Sequence, residues 1–159
     1  VIGMRLIKSF LLVLLSMALL SCGSELKTGS GHWVTQTRSV APFDRVSLNG
    51  HFKLNYADHQ QPGITVSADD NLLPFIHTVV KSGELTINVD PNVRLNASNV
   101  ITVHLASRHL QSITSSGSNE IQLSGLQEPW FRVKSQGGDH IAFHAHDFSD
   151  GHQPSGSIR

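Results

Sequence analysis

The sequence predicts an all-β fold of short stacked strands, a right-handed β-helix or solenoid, with a β-sandwich as the alternative. Three observations predict it. Apolar and polar residues alternate along most of the chain, glycine and serine punctuate that alternation, and one strand-turn-strand unit recurs at an offset of twenty residues. Hydrophobic residues make up 39% and charged residues 15%, a balance that supports a packed core and argues against disorder.

A leader precedes the strands. Met4-Arg5-Leu6-Ile7-Lys8 is a short basic start, and residues 10–20 are apolar apart from Ser16. That run is shorter than the roughly 20 residues that cross a bilayer. A basic start, a short apolar run and a small residue before the cut define a secretory signal peptide, here residues 1–21. Leu19-Leu20-Ser21-Cys22-Gly23 resembles the bacterial lipobox. There the small residue, Ser21, enters the peptidase and the thiol, Cys22, becomes acylated. Cys22 is the one cysteine of the chain, so no internal disulfide can claim it. Each acyl methylene buried in lipid contributes about 0.8 kcal/mol, which makes two or three chains a firm membrane anchor. Gly23 rather than Asp after the cysteine favours the outer membrane by resemblance to enterobacterial sorting. Residues 22–33 are polar and rich in Gly and Ser, the composition of a flexible tether.

The domain is expected over residues 34–143. Phe52, Leu54 and Tyr56 share one parity, as do Ile64, Val66 and Ala68. Leu85, Ile87 and Val89 repeat the pattern, followed by Ile101, Val103 and Leu105. Period two puts each set on one face of a half-buried sheet. Ser82-Gly83 between Val80 and Leu85 predicts a hairpin turn. The segment 69–76 is the one helical turn expected, capped by Asp-Asp-Asn and shortened by Pro74. Further on, Ile113, Ser115, Gly117, Ile121 and Leu123 correspond to Val133, Ser135, Gly137, Ile141 and Phe143. A unit of two short strands and a glycine corner cannot bury its apolar face alone, and stacking such units does bury it. The same pattern is compatible with two similar hairpins in a sandwich.

Several segments carry a family likeness. They are Arg38-Ser39-Val40-Ala41-Pro42-Phe43-Asp44-Arg45-Val46 with Gly50-His51-Phe52-Lys53-Leu54, then Ala68-Asp69-Asp70-Asn71-Leu72-Leu73, Gly83-Glu84-Leu85-Thr86-Ile87, and Leu110-Gln111-Ser112-Ile113-Thr114-Ser115-Ser116-Gly117-Ser118. Over residues 32–143 the chain resembles the bacterial putative auto-transporter adhesin, head GIN domain family, a domain of unknown function. The resemblance rests on apolar positions and glycines, so it implies fold more than activity. Members of that family continue through more coils. Residues 144–159 are therefore expected to be a degenerate or truncated last coil, with His152 standing where an apolar residue belongs.

Candidate chemistry is sparse. His140, His144 and His146 share one parity opposite Ile141, Phe143 and Ala145. His-x-His spacing can ligate zinc or copper, but a solvated strand face explains the same spacing, and no metal or other cofactor is expected. No Gly-x-Ser-x-Gly elbow and no phosphate-binding glycine loop occurs. Asp69 and Asp70 read as turn caps, and Glu84 and Glu120 as solvated. No catalytic residue is assigned. Of Trp130 and Phe131, one is expected inside and the other exposed. After the leader ten basic residues face twelve acidic ones, a net charge of −2, which excludes nucleic acid as a partner. The expected protein is a non-enzymatic, lipid-anchored lipoprotein of the bacterial cell envelope, outer membrane by its sorting residue. It would meet the membrane through Cys22 and bind a polysaccharide or an envelope protein through its polar face. The alternatives are a β-helix enzyme acting on polysaccharide and a structural or sensory lipoprotein. The former would need paired carboxylates or a basic cluster at one position on successive coils, and the first matched pair is Glu120 against His140.

Overall fold

The computed structural model describes residues 23–58, 61–126 and 130–144. Among them it shows thirteen strands, one 3₁₀ turn and no α-helix. The strands are β1 (Glu25–Thr28), β2 (Trp33–Arg38), β3 (Arg45–Gly50), β4 (Lys53–Asp58), β5 (Gly63–Asp69), β6 (Ile76–Lys81) and β7 (Glu84–Val89). There follow β8 (Val93–Asn96), β9 (Thr102–Ser107), β10 (Ser112–Gly117), β11 (Glu120–Ser124), β12 (Arg132–Gly137) and β13 (His140–His144). The 3₁₀ turn spans Leu73–Phe75 and carries Pro74 in its first turn, where a missing N–H costs nothing.

Two mixed sheets dominate, with strand orders β12-β10-β3-β7-β6 and β13-β11-β4-β9-β5-β2, and no closed barrel forms among the described residues. Consecutive strands switch sheets at a corner: β3 to β4, β10 to β11 and β12 to β13. These three units stack in parallel and in register. Val46, Ile113 and Val133 form one column, and Leu54, Ile121 and Ile141 another. The offset of twenty is thus a pairing register. β7 and β9 extend the two stacks in parallel on the other side, where antiparallel β6 ends one sheet and antiparallel β5 followed by β2 ends the other.

Alternation drives the packing. Leu54, Ile64, Leu85, Ile87, Val103, Ile113 and Ile121 are at most 1% exposed and join one hydrophobic core. Burying a side chain of this size contributes about 1.5–3 kcal/mol. Ser82 and Gly83 both have positive φ, 51° and 78°, as a two-residue type I′ hairpin turn requires.

The corners are built from glycine for a steric reason. Gly117 has φ +111° and Gly137 φ +139°. A Cβ on Gly117 would lie 2.1 Å from the Gly50 carbonyl oxygen, and one on Gly137 2.1 Å from that of Gly117. The next position is instructive. Phe52 is buried in the first coil, and Asn119 takes its place in the second. Asn119 Oδ1 accepts the Phe52 N–H at 2.9 Å, and its Nδ2 donates to Ser115 Oγ and the Ser116 carbonyl, each at 3.0 Å. Asp139 repeats the role, accepting the Asn119 N–H at 2.9 Å and a 2.6 Å bond from Ser135 Oγ. Leu48 and Phe52 are apolar together. Ser115 with Asn119, and Ser135 with Asp139, are polar together, so the side chain at each corner bonds within its own layer and caps a backbone N–H of the layer before it.

One expectation is corrected. The tether assigned to residues 22–33 is ordered from its fourth residue. β1 pairs in parallel with β8, Leu26 opposite Arg94, and β2 begins at Trp33. Gly and Ser here serve a close approach, since a Cβ on Gly29 would lie 2.2 Å from Asp69 Oδ2.

Candidate functional site

Ser21, Cys22 and His146 lie outside the described residues, as does the end 145–159. His140 and His144 are exposed on β13, four residues apart on one strand face. At about 3.3 Å per residue that is roughly 13 Å, too far for one ion. No group of three His, Cys, Asp or Glu residues among the described ones could hold a metal. Glu120 stands opposite both Lys53 and His140. The Lys53 ammonium, 3.1 Å from Glu120 Oε1, is the main cause holding that carboxyl below its ordinary range.

The registers assemble the outward side chains of the six-stranded sheet into rows. Thr37, Thr65, His104, Asn55, Gln122 and Ala142 lie opposite one another in turn across β2, β5, β9, β4, β11 and β13. Five strand spacings of about 4.8 Å make this row roughly 24 Å long. On one side runs Thr35, Ser67, Thr102, Lys53, Glu120 and His140. On the other run the small residues Gly63, Ala106 and Ala57, followed by Ser124 and His144. The small residues lower the surface beside the central row, leaving an open groove of about 570 Å³ lined by Thr37, Asn55, Thr65, His104 and Gln122, among others. Its polar groups are hydroxyls, amides, one imidazole and the Lys53 ammonium. They can donate and accept hydrogen bonds along an extended ligand, with no paired carboxylates.

The adjacent acids are structural. Asp69 is fully buried. Its Oδ1 accepts the Gly31 N–H at 2.8 Å and the Ser98 hydroxyl at 2.6 Å, and its Oδ2 accepts the Ser98 N–H at 2.8 Å. Led by the Ser98 hydroxyl, these donors hold its carboxyl below the ordinary value. Asp70 accepts from Ser30 Oγ at 2.5 Å, the Asn71 N–H at 2.7 Å and His32 Nδ1 at 3.2 Å. Together they tie the segment before β2 to the loops after β5 and β8. Trp130 is exposed, and Phe131 packs against the core with its ring edge-on to Phe143, centroids 6.4 Å apart.

Two mixed sheets joined by glycine corners, with polar residues on their outer faces, define an all-β domain. The putative auto-transporter adhesin, head GIN domain family matches residues 42–150, and the chain belongs to that family. Solved structures share the fold. A putative adhesin from Bacteroides fragilis is 14% identical with a TM-score of 0.65, covering 74% of this chain and 55% of that one. A putative adhesin from Parabacteroides merdae is 17% identical with a TM-score of 0.59, covering 75% and 55%. A putative lipid binding protein from Parabacteroides distasonis is 20% identical with a TM-score of 0.58, covering 76% and 63%. The chain thus spans less than two thirds of each of these proteins. No curated protein matches the sequence. No helix among the described residues is long and apolar enough to cross a membrane.

Proposed function

We propose that this is an exported, lipid-anchored envelope protein whose solenoid-type stack presents the six-stranded face for adhesion-type binding of an extended polymer. The observation that carries this is the continuous polar row from Thr37 to Gln122, crossing five strands in register. Such a row offers hydrogen bonds at a fixed spacing along a chain-like ligand, as solenoid faces do. An open surface of this kind holds a ligand without enclosing a reacting centre, which favours binding over catalysis. The family's description as an adhesin supports the same reading. The lipobox around Cys22 supplies the anchor. The test pairs two measurements in the native host or a Gram-negative surrogate. A palmitate analogue labels the wild-type protein and not Cys22→Ala, and purified protein pulls down envelope polysaccharide less well after His104→Ala plus Gln122→Ala. Labelling of Cys22→Ala defeats the anchor. Unchanged capture by the double variant defeats the binding face, and turnover of the polysaccharide defeats the non-enzymatic reading.

A further inference from the structure

The opposite sheet carries a second, differently built site. Its first outward row is Lys81, Glu84, Arg45, Ser112 and Arg132, from β6 to β12. Arg45 and Arg132 flank Ser112 at two strand spacings, about 9.6 Å between their backbones. They border a cleft of about 520 Å³ that Gln111, Ser112 and Trp130 complete. The ring of Trp130, 79% exposed, forms one wall.

The charges in this row are not equally engaged. Lys81 and Glu84 stand opposite each other. Arg45 donates to the Ser82 carbonyl through Nη2, and its Nε lies 3.5 Å from Asp44 Oδ1. Asp44 Oδ2 accepts a 3.2 Å bond from Gln111 Nε2. Arg45 and Gln111 are therefore oriented by protein groups. The Arg132 guanidinium makes no hydrogen bond or ion pair among the described residues, and Lys134 follows on the same face. An oriented cation, a guanidinium fork with no partner among the described residues, a hydroxyl between them and an open indole face make a complementary set. The fork matches a carboxylate in two-point geometry. The indole matches the flat apolar face of a pyranose ring.

We infer that this cleft binds a sugar bearing a carboxylate, a uronic acid unit of an acidic polysaccharide. Arg132 grips the carboxylate, Ser112 and Gln111 meet ring hydroxyls, and Trp130 stacks on the ring. This site is separate from the six-stranded face and shares with it only the premise that the protein binds glycans. The test is titration calorimetry of the full chain in detergent with oligogalacturonate, monomeric galacturonate and a neutral maltooligosaccharide. Oligogalacturonate should bind at least tenfold more tightly than the neutral sugar, and its affinity should fall with added salt. Arg132→Ala and Trp130→Ala should each weaken it about tenfold, and Arg132→Lys less, with circular dichroism unchanged. Monomeric galacturonate should compete weakly, which places recognition in a polymer unit. Oligogalacturonate binding that ignores both substitutions, or no preference over the neutral sugar, overturns the inference while leaving binding on the other face intact. No binding of any acidic saccharide overturns it too, and binding of neutral polymer lost in the His104→Ala plus Gln122→Ala protein then assigns recognition to the six-stranded face alone.

Discussion

Gly117 has no room for any side chain. Its Cβ would meet a backbone carbonyl oxygen that is itself fixed in the ladder, at 2.1 Å, and its φ of +111° is strained for an L residue. Gly117→Ala is expected to cost about 3 kcal/mol through clash and strain together. Gly31, with φ +80° and open space around it, is the control, and its alanine variant should cost about 1 kcal/mol. Urea midpoints of the two proteins decide this. Asp69 gives a pH signature. Its folded pKa lies below its unfolded value of about 3.9, so the folded state binds fewer protons there. Its contribution is present above pH 4 and is lost as pH falls through the lowered folded value. Asp69→Asn should be less stable than wild type at pH 6, with the gap closing toward pH 2.5 in the same denaturation series. The sequence marked Asp69 and Gly117 as a cap and a corner. It did not show that the cap reaches back to Gly31, because that contact spans 38 residues.

At the scale of the element, the corner unit explains what sequence could and could not show. Two members stand twenty residues apart with matching Ser and Gly, so periodicity alone reveals them. The third, β3 with β4, lies in the same register, but Val46 precedes Ile113 by 67 residues. The excursion through β5 to β9 hides it. Its apolar Leu48 and Phe52 also disguise the likeness to Ser115 and Asn119. The Ser/Asn pairing yields a prediction. Asn119→Ala strands the buried Phe52 N–H and should cost about 2–3 kcal/mol. Asp139→Asn recreates the amide found one coil earlier and should leave the melting temperature at pH 7 within a few degrees. β1 was missed because Leu26 is its one bulky apolar residue and is 59% exposed. Its strand state comes from pairing with β8, a tertiary cause that periodicity does not carry. The two outer sheet faces were legible as polar parities only. Which residues share a row depends on registers between strands far apart in sequence.

For the whole molecule, the stack has a firm middle and weaker ends. Ile113 and Ile121 are fully buried and Leu123 nearly so, whereas Val133 and Ile141 one coil on are half-buried and Phe143 is 61% exposed. Hydrogen exchange should therefore protect β3, β4, β10 and β11 most and release β12, β13 and the β1–β8 pair first. Uniform protection across all these strands would contradict that gradient. The all-β class and the stacking offset were readable from one sequence because burial enforces alternation locally. The Ser82-Gly83 turn also announced the antiparallel β6–β7 pair, whereas the antiparallel placement of β5 and β2 at the end of the six-stranded sheet was not readable, because an edge strand and a central strand share the same period.

The column of Gly50, Gly117 and Gly137 also sets a unit of growth. Each corner layer brings its own glycine directly over the last, either after one turn of twenty residues, as from Gly117 to Gly137, or after a longer excursion that returns in register, as from Gly50 to Gly117. A single inserted residue within a strand would turn an oily row outward and a wet row inward. Length should therefore change at the corners and in the excursions between them rather than within the strands, which leaves the chemistry of each layer in phase.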